Sequence, residues 1–426
     1  MRLTTLAVSA LALAGCAFRY PPPALAPVTA SPPAAASVPI APPQTAALPV
    51  TILVSIDGFR PDYLHRGNTP TLDAMAARGI SATMRPSFPT MTFPNHYTMV
   101  TGLRPDRHGV INNTMFDPAR PGVEFKTSDT KQVRDAFWWN GAEPIWVTAE
   151  RAGIRTGTMY WPGSEAAIHG VRPSAWVPYA AEMDWRRRVD FVLDWLRRPA
   201  AERPRLLTLY FDTVDKASHT QGFDSPEKLQ AIRDSDAAVA RLLAGLATLG
   251  QAANVIVVSD HGMAPVRPTD TIDVQAEAAD PRMTILPEGP QLSIFAKPGP
   301  EGAAAVAAWM AKPMPHATCW RRGTLPERLH FGHNPRMPDW FCLAEPHWRF
   351  VGEPGRAYLK GDHGYEPTDP AMAALFIADG PAFVGGKRVA TFDNIDVAPL
   401  LRDLIGLPPG RDLDGDDAPF RGVLKR

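Results

Sequence analysis

Five residues of metal-binding type stand at or just beyond the ends of apolar runs, and a sixth lies further along the chain. Asp57 follows Val50-Thr51-Ile52-Leu53-Val54-Ser55-Ile56, Asp215 and His219 follow Leu206-Leu207-Thr208-Leu209-Tyr210-Phe211, and Asp260-His261 follow Val255-Ile256-Val257-Val258-Ser259. His363 lies in Gly361-Asp362-His363-Gly364-Tyr365. Three carboxylates and three imidazoles form a mixed nitrogen and oxygen donor set suited to two divalent cations. Each residue alone also has an ordinary reading. Asp57 before Gly58 suits a turn, Asp215 suits a helix N-cap, and a lone histidine is usually structural. Asp215 and His219 are four apart, so one helical turn would put them on the same face.

The elements that must position them follow a strand, loop, helix rhythm from residue 50. Strands are predicted at Val50–Ile56, Arg155–Tyr160, Leu206–Phe211 and Asn254–Val258. Helices are predicted at Thr71–Arg78, Trp185–Leu196 and Ser225–Leu249, the last with Ser225 as N-cap, Pro226 in its first turn and Gly250 past its end. Alternation of this kind implies an α/β fold with a central, mostly parallel sheet covered by helices on both faces. In such a sheet ligands bind beyond the carboxyl ends of the strands, where the acids stand. Residues 265–360, rich in Pro, Trp and His, read as an irregular inserted subdomain before the final segment.

The chain has 426 residues, of which 45% are hydrophobic and 21% charged, so most of it can fold around a core. Lys+Arg and Asp+Glu both number 44. Zero net charge excludes the excess positive charge that nucleic-acid duplex binding draws on, although bound cations would still admit a small anionic substrate. Residues 1–16 carry one Arg, then an apolar run too short to span a bilayer, then Leu13-Ala14-Gly15-Cys16. That ending resembles a bacterial lipobox, in which the cysteine is lipidated. The resemblance implies a periplasm-facing lipoprotein of the bacterial cell envelope, anchored through Cys16. Ala17 in the next position points to the outer membrane. Residues 20–49 hold ten Pro, nine Ala and no charge, and residues 17–49 read as an extended tether. Residues 50–426 are then the catalytic domain. With three Cys in all, a disulfide scaffold is excluded. In an oxidising compartment Cys319 and Cys342 would form one bridge; two buried free thiols are the alternative. Asp412-Leu413-Asp414-Gly415-Asp416-Asp417 is not an EF-hand, because Asp417 and Val423 stand where that loop needs Gly and Glu.

Pro86–Gly102, with Thr90-Met91-Thr92-Phe93-Pro94-Asn95-His96 at its centre, resembles the nucleophile segment of the nucleotide pyrophosphatase/phosphodiesterase family, which has the alkaline phosphatase-like fold. Further blocks, Ser55–Leu64, Leu103–Pro118, Met159–Ala166, Val214–His219, Val258–Met263 and Gly361–Phe383, match in the family's order and cover nearly all of residues 50–410. The resemblance implies that Thr92 is the nucleophile, Thr90 being a decoy. It implies that Asp215, His219 and His363 hold one zinc. Asp57, Asp260 and His261 would hold a second, which also contacts the Thr92 oxygen. Asn113 would hydrogen-bond the phosphoryl oxygen, with Asn112 as its one-residue alternative. Phe93 and Tyr179 would sandwich a nucleotide base. Met91 departs from the pattern, since some members carry a phosphate-contacting Lys there.

The implied reaction is hydrolysis of nucleotide phosphodiester and pyrophosphate bonds through a phospho-threonine, releasing nucleoside 5′-monophosphates. Ligands drawn from His and Asp favour zinc, with manganese as runner-up and magnesium disfavoured. The main alternative is a phospholipid or choline-headgroup phosphodiesterase of the same family. A sulfatase lacks its C/S-x-P-x-R motif here. A phosphomonoesterase would have no use for two base-stacking rings, and a catalytically dead binding lipoprotein would not need every one of these groups. Oligomeric state is left open.

Overall fold

Parallel strands buried on both faces need side chains that are apolar throughout, and the strand Val50–Ile56 (β1) is buried at every position. Its alternate residues serve different layers: Leu53 packs into one hydrophobic cluster and Ile52, Val54 and Ile56 into the other. The computed structural model describes residues 49–352 and 359–425. The leader with Cys16, and the tether up to residue 48, lie outside the described residues, among which no helix is long and apolar enough to cross a membrane.

In chain order the framework continues with helix Pro70–Arg78 (α1), strand Ile80–Arg85 (β2) and helix Thr92–Thr101 (α2). Strands Thr156–Met159 (β3) and Ala175–Val177 (β4) precede helix Trp185–Leu196 (α3). Strand Leu206–Phe211 (β5) leads into helices Thr213–Thr220 (α4) and Pro226–Thr248 (α5), and strand Ala253–Val258 (β6) follows. The Ser225 hydroxyl accepts from the Lys228 amide to cap α5, with Pro226 at its first position and Gly250 at positive φ beyond its end, as the sequence implies. The strand predicted to reach Tyr160 stops at Met159, because Tyr160 takes a left-handed φ of 64° that cannot continue a ladder.

The central sheet is mixed. Its order is β2, Ala374–Asp379 (here called the return strand), β6, β1, β5, β3 and β4, with short strands Lys387–Arg388 and Phe392–Asp393 also pairing with β2. The five strands from β6 to β4 are parallel. The return strand is antiparallel to both β2 and β6. Its reversal has a consequence for the site. Asp57 and Asp260 leave the carboxyl ends of β1 and β6, whereas His363 precedes the return strand. Because Phe376 pairs with Val258, the chain enters the return strand at the same sheet edge.

Residues 265–352 are more regular than their composition implies. Met283–Glu288, Gln291–Ala296, Trp340–Ala344 and Ala317–Arg321 form a four-stranded antiparallel sheet in that spatial order. This sheet packs on helix Pro300–Met310 around its own cluster, which includes Leu292, Ile294, Val306 and Trp309. Cys319 and Cys342 are directly opposite across two of these strands and are joined as a disulfide. The acidic run near the C-terminus is engaged in ion pairing, with Asp412 and Asp414 both gripping Arg107.

Candidate active site

All six metal-type residues meet at the carboxyl edge of the parallel strands. The β1 carboxyl end delivers Asp57, whose amide donates to the Phe211 carbonyl of β5. Gly58 follows at φ +66°, and a Cβ there would stand 3.1 Å from the Asp215 Cβ, so glycine suits both the left-handed turn and the close approach of Asp215. Asp215 is the third residue of α4, whose cap position is Asp212, so Asp215 projects into the site rather than capping the helix. One turn later His219 places its Nε2 3.3 Å from Asp215 Oδ1. Asp260 and His261 leave β6 fully buried.

The three imidazoles are held alike. Nδ1 of His219, His261 and His363 lies 2.7, 2.9 and 3.0 Å from the carbonyls of Gly361, Gly262 and Thr90. Donation to a carbonyl fixes one proton on Nδ1 and turns Nε2 towards the acids, where it would serve as the ligand atom once a cation replaces any proton it carries. His261 and His363 stack with ring centroids 3.7 Å apart. Two compact sets result, Asp57 with Asp260 and His261, and Asp215 with His261 and His363, each with its ligand atoms within 4.8 Å of one another. His261 therefore stands in both sets, whereas the resemblance assigns it to one, and His219 joins the second set through Asp215.

Electrostatics agree with a cation-binding centre. Burial, then the neighbouring Asp260 and Asp215, pushes the Asp57 carboxyl well above its ordinary range. Burial also opposes charge on Asp215, but His219 and His363 outweigh it and bring that carboxyl to about 2. His219 is driven the other way, to about 9, because Asp215 overcomes the burial of its ring. Burial, then repulsion from His261, holds His363 near 3. Asp57 Oδ1, Asp215 Oδ1 and Asp260 Oδ2 are buried without a hydrogen-bond donor. Buried carboxylate oxygens left bare beside free imidazole nitrogens fit divalent metal ions, which would satisfy all of them at once.

Thr92 opens α2, with its Oγ1 3.3 Å from His261 Nε2. The approach to it is fixed by Asn95, which accepts from the Ser87 amide and donates to the Pro89 and Met91 carbonyls. Nδ1 of buried His96 lies 2.8 Å from the Thr92 carbonyl. Thr90, two residues earlier, is committed elsewhere: its hydroxyl donates to the Tyr365 carbonyl at 2.8 Å.

A cavity of about 340 Å³ collects Asp57, Thr92, Phe93, Asn113, Tyr179 and Asp215 along its lining. Asn113 Oδ1 accepts from the Phe93 amide, leaving its Nδ2 for the cavity. Asn112 is buried and donates instead to Gln291. Phe93 leans on Trp139 and Phe125, with centroids 5.8 and 6.1 Å away. Tyr179 is 45% exposed, and its hydroxyl donates to Asp212 at 2.7 Å. Met91 is buried, with its sulfur against Gly364, and does not line the cavity.

Sequence reasoning missed three supporting residues. Tyr210 reads as one more core residue of β5, yet its hydroxyl donates to Asp57 Oδ2 at 2.6 Å. A phenol next to the carboxyl end of a fully buried strand is the signal that could have found it. Gln291 spans the Asn112 side chain and the Gly364 carbonyl from the second sheet, and no local pattern announces it. Asp212 is visible in sequence only as an acid near a strand end.

With this geometry in place, comparisons with known proteins are decisive. The family model described as type I phosphodiesterase / nucleotide pyrophosphatase matches residues 51–366. An uncharacterized pyrophosphatase/phosphodiesterase of Schizosaccharomyces pombe is 35% identical, the match covering 84% of this chain and 77% of that protein. Ectonucleotide pyrophosphatase/phosphodiesterase family member 1 of Mus musculus is also 35% identical over 88% of this chain, which spans 43% of that longer protein. The structure of human ectonucleotide pyrophosphatase/phosphodiesterase 5 superposes with a TM-score of 0.83 at 30% identity, covering 88% of this chain and all of that one. The murine counterpart, as an inactive threonine-to-alanine form in complex with AMP, gives a TM-score of 0.81 at 30% identity. Match, fold and site together place the chain in the type I phosphodiesterase / nucleotide pyrophosphatase family, hydrolases of phosphodiester and pyrophosphate bonds.

Proposed function

We propose that the chain hydrolyses the phosphodiester or pyrophosphate bond of nucleotides and releases nucleoside 5′-monophosphates, ATP yielding AMP and pyrophosphate. The observation that carries this reading is one cavity lined by the Thr92 side chain, by one acid from each of the two metal-type ligand sets and by Phe93 and Tyr179 from separate segments. The AMP bound to the murine neighbour's inactive form supports it.

Asp57, Asp260 and His261, and Asp215, His219 and His363, are the residues that would hold two divalent ions, zinc being favoured over manganese by the shared His and Asp donors. When bound, such ions would lower the pKa of the Thr92 hydroxyl and offset negative charge on the phosphoryl oxygens. Thr92 Oγ1 forms a bond to phosphorus and the bond to the leaving oxygen breaks, which leaves the nucleotidyl group on Thr92 as a phosphodiester. Water then attacks the same phosphorus, the bond to Thr92 Oγ1 breaks, and the 5′-monophosphate departs. Asn113 presents its amide nitrogen to a phosphoryl oxygen, a fixed dipole aimed where charge accumulates. Phe93 and Tyr179 hold the base by its faces, which tolerates any base because each has a π-face.

Steady-state comparison of p-nitrophenyl thymidine 5′-monophosphate, p-nitrophenyl phosphate and p-nitrophenylphosphorylcholine tests the reading. The nucleotide ester should have the highest kcat/KM. A preference for the choline ester would assign the chain to headgroup chemistry instead.

The leader supports a second part of the proposal: lipidation at Cys16, a location at the bacterial cell envelope facing the periplasm, at the outer membrane, and a tether of residues 17–49 extending about 3 Å per residue where it is polyproline-like. Cys16→Ser should move activity from the membrane fraction to the soluble periplasm with turnover unchanged. Membrane association that persists would place the anchor elsewhere.

A further inference from the structure

Tyr179 and Leu229 are the exposed large hydrophobic side chains among the described residues. An exposed aromatic side chain normally samples several rotamers, and ordering it on binding costs affinity. Tyr179 is instead tied at both ends. Its amide donates to Glu165 Oε1 at 2.9 Å, and that carboxylate is gripped on its other oxygen by Arg134 Nε at 2.8 Å. Its hydroxyl donates to Asp212 Oδ2 at 2.7 Å.

Asp212 is fixed in turn. Its Oδ1 accepts from Arg188 NH1 at 2.7 Å, and the Arg188 side chain is only 2% exposed. The same guanidinium donates to the Tyr210 and Met183 carbonyls and lies 5.0 Å from the Tyr160 ring centroid. Tyr160 meets Tyr179 edge to face at 5.1 Å. A buried guanidinium loses its hydration and must be satisfied inside the protein. Here part of that satisfaction is an aspartate whose second oxygen faces outward to a phenol on the cavity wall. An arrangement needed only for folding could pair Arg188 with both oxygens of its partner, since the guanidinium fork suits bidentate binding. The second oxygen serves Tyr179 instead.

We infer that Asp212, anchored by Arg188, is a positioning residue for substrate: it pre-sets the Tyr179 ring as one wall of the base site before a nucleotide arrives. The inference rests on the nucleotide reading above. Asp212 is not part of the cavity lining, and it acts through the tyrosine.

The test compares p-nitrophenyl thymidine 5′-monophosphate with methyl p-nitrophenyl phosphate, which has the same leaving group and no base. The readout is the ratio of the two kcat/KM values. Tyr179→Phe keeps the ring, removes the hydroxyl and leaves the pair of Asp212 and Arg188 intact, so it folds even if Asp212→Ala, which strands a buried guanidinium, does not. Each variant should lower the ratio about threefold to tenfold, because the phenol's bond to the Asp212 carboxylate acts on the substrate only by holding the ring in place. The loss should lie in KM of the nucleotide ester. The double variant should be no worse than Asp212→Ala alone, because both remove one interaction. A full ratio in Tyr179→Phe, while Tyr179→Ala loses it, would overturn the positioning role and leave the nucleotide reading standing. No base-dependent difference in the unaltered protein would overturn the reading itself.

Discussion

The floor and the wall of the cavity are built on different plans. The floor consists of six acids and imidazoles, most of them next to a strand end or on the first helix after one, with each of the three imidazoles held by a backbone carbonyl. The wall consists of Phe93, backed by Trp139 and Phe125 from another segment, and Tyr179, held by Asp212 and Glu165. The floor is rigid because the parallel ladder between β1, β5 and β6 sets its spacing. The wall is rigid only because side chains distant in sequence were placed against it. In the proposed function, chemistry that tolerates no displacement would therefore sit on the ladder and selectivity on side-chain packing, where substitutions change it more cheaply.

The largest effect should come from the junction of the two plans. Thr92→Ala should cost at least ~10³-fold in kcat with metal content unchanged, since it removes the attacking oxygen and no ligand imidazole or carboxylate. Thr90→Ala removes a buried hydrogen bond to Tyr365 and should cost about 1 kcal/mol of stability while turnover stays near normal. Reversed phenotypes, read by steady-state kinetics and thermal unfolding, would move the nucleophile two residues along the chain.

On the floor, His363→Ala and Asp57→Ala should each lower metal content and activity together. Purified protein should contain about two zinc ions per chain by elemental analysis. Because His261 stands in both ligand sets, His261→Ala should deplete both ions where His219→Ala depletes one. Full activity after exhaustive chelation would remove the metal-based floor altogether. On the wall the change should be smaller: Tyr179→Ala should reduce kcat/KM for p-nitrophenyl thymidine 5′-monophosphate about tenfold, the worth of one stacked base. An equal loss on a base-free diester would make Tyr179 a packing residue and erase the contrast.

The smallest effect concerns what lies behind Phe93. His108 is fully buried, 5.1 Å from the Tyr97 ring, which itself packs on Trp139. The Val110 amide donates to its Nδ1, and burial lowers its pKa from 6.5 to about 3 despite the Pro94 carbonyl. Between those values the unfolded chain binds a proton that the native chain does not. Stability should therefore fall as pH drops from about 6.5 towards 3, with no such contribution above that window. Thermal midpoints against pH should show a shallower acid slope in His108→Asn. An unchanged slope would assign the acid sensitivity to other groups.

Legibility in the sequence follows the same division. Asp57, Asp215, His219, Asp260 and His261 were readable because a buried strand announces itself as an apolar run, and its carboxyl end is then a place as well as a position; His363 was readable only through the family resemblance of its Gly361–Tyr365 block. The capped boundaries of α5 were readable for a similar reason, since Ser225, Pro226 and Gly250 act within one turn. The regularity of residues 283–344 was not, because its antiparallel strands are not uniformly apolar and are mostly separated by long segments rich in Pro. Tyr210 was hidden as well, because one strand pattern serves both core packing and support of a carboxylate.

By itself the sequence determined the ligand types, their order along the chain and the strand ends that carry them, since those depend on local hydrophobic pattern and turn chemistry. Only the tertiary structure decided the rest. The reversed return strand brings His363 to the edge reached by Asp57 and Asp260. Stacking against His363 puts His261 between the two ligand sets. Asn113 rather than Asn112 lines the cavity because Gln291, from another sheet, occupies Asn112. Tyr179 becomes a fixed wall because a buried arginine on α3 needed a partner at the end of β5. Each of these depends on which groups share space after the chain has closed on itself, and distance along the chain carries no information about that.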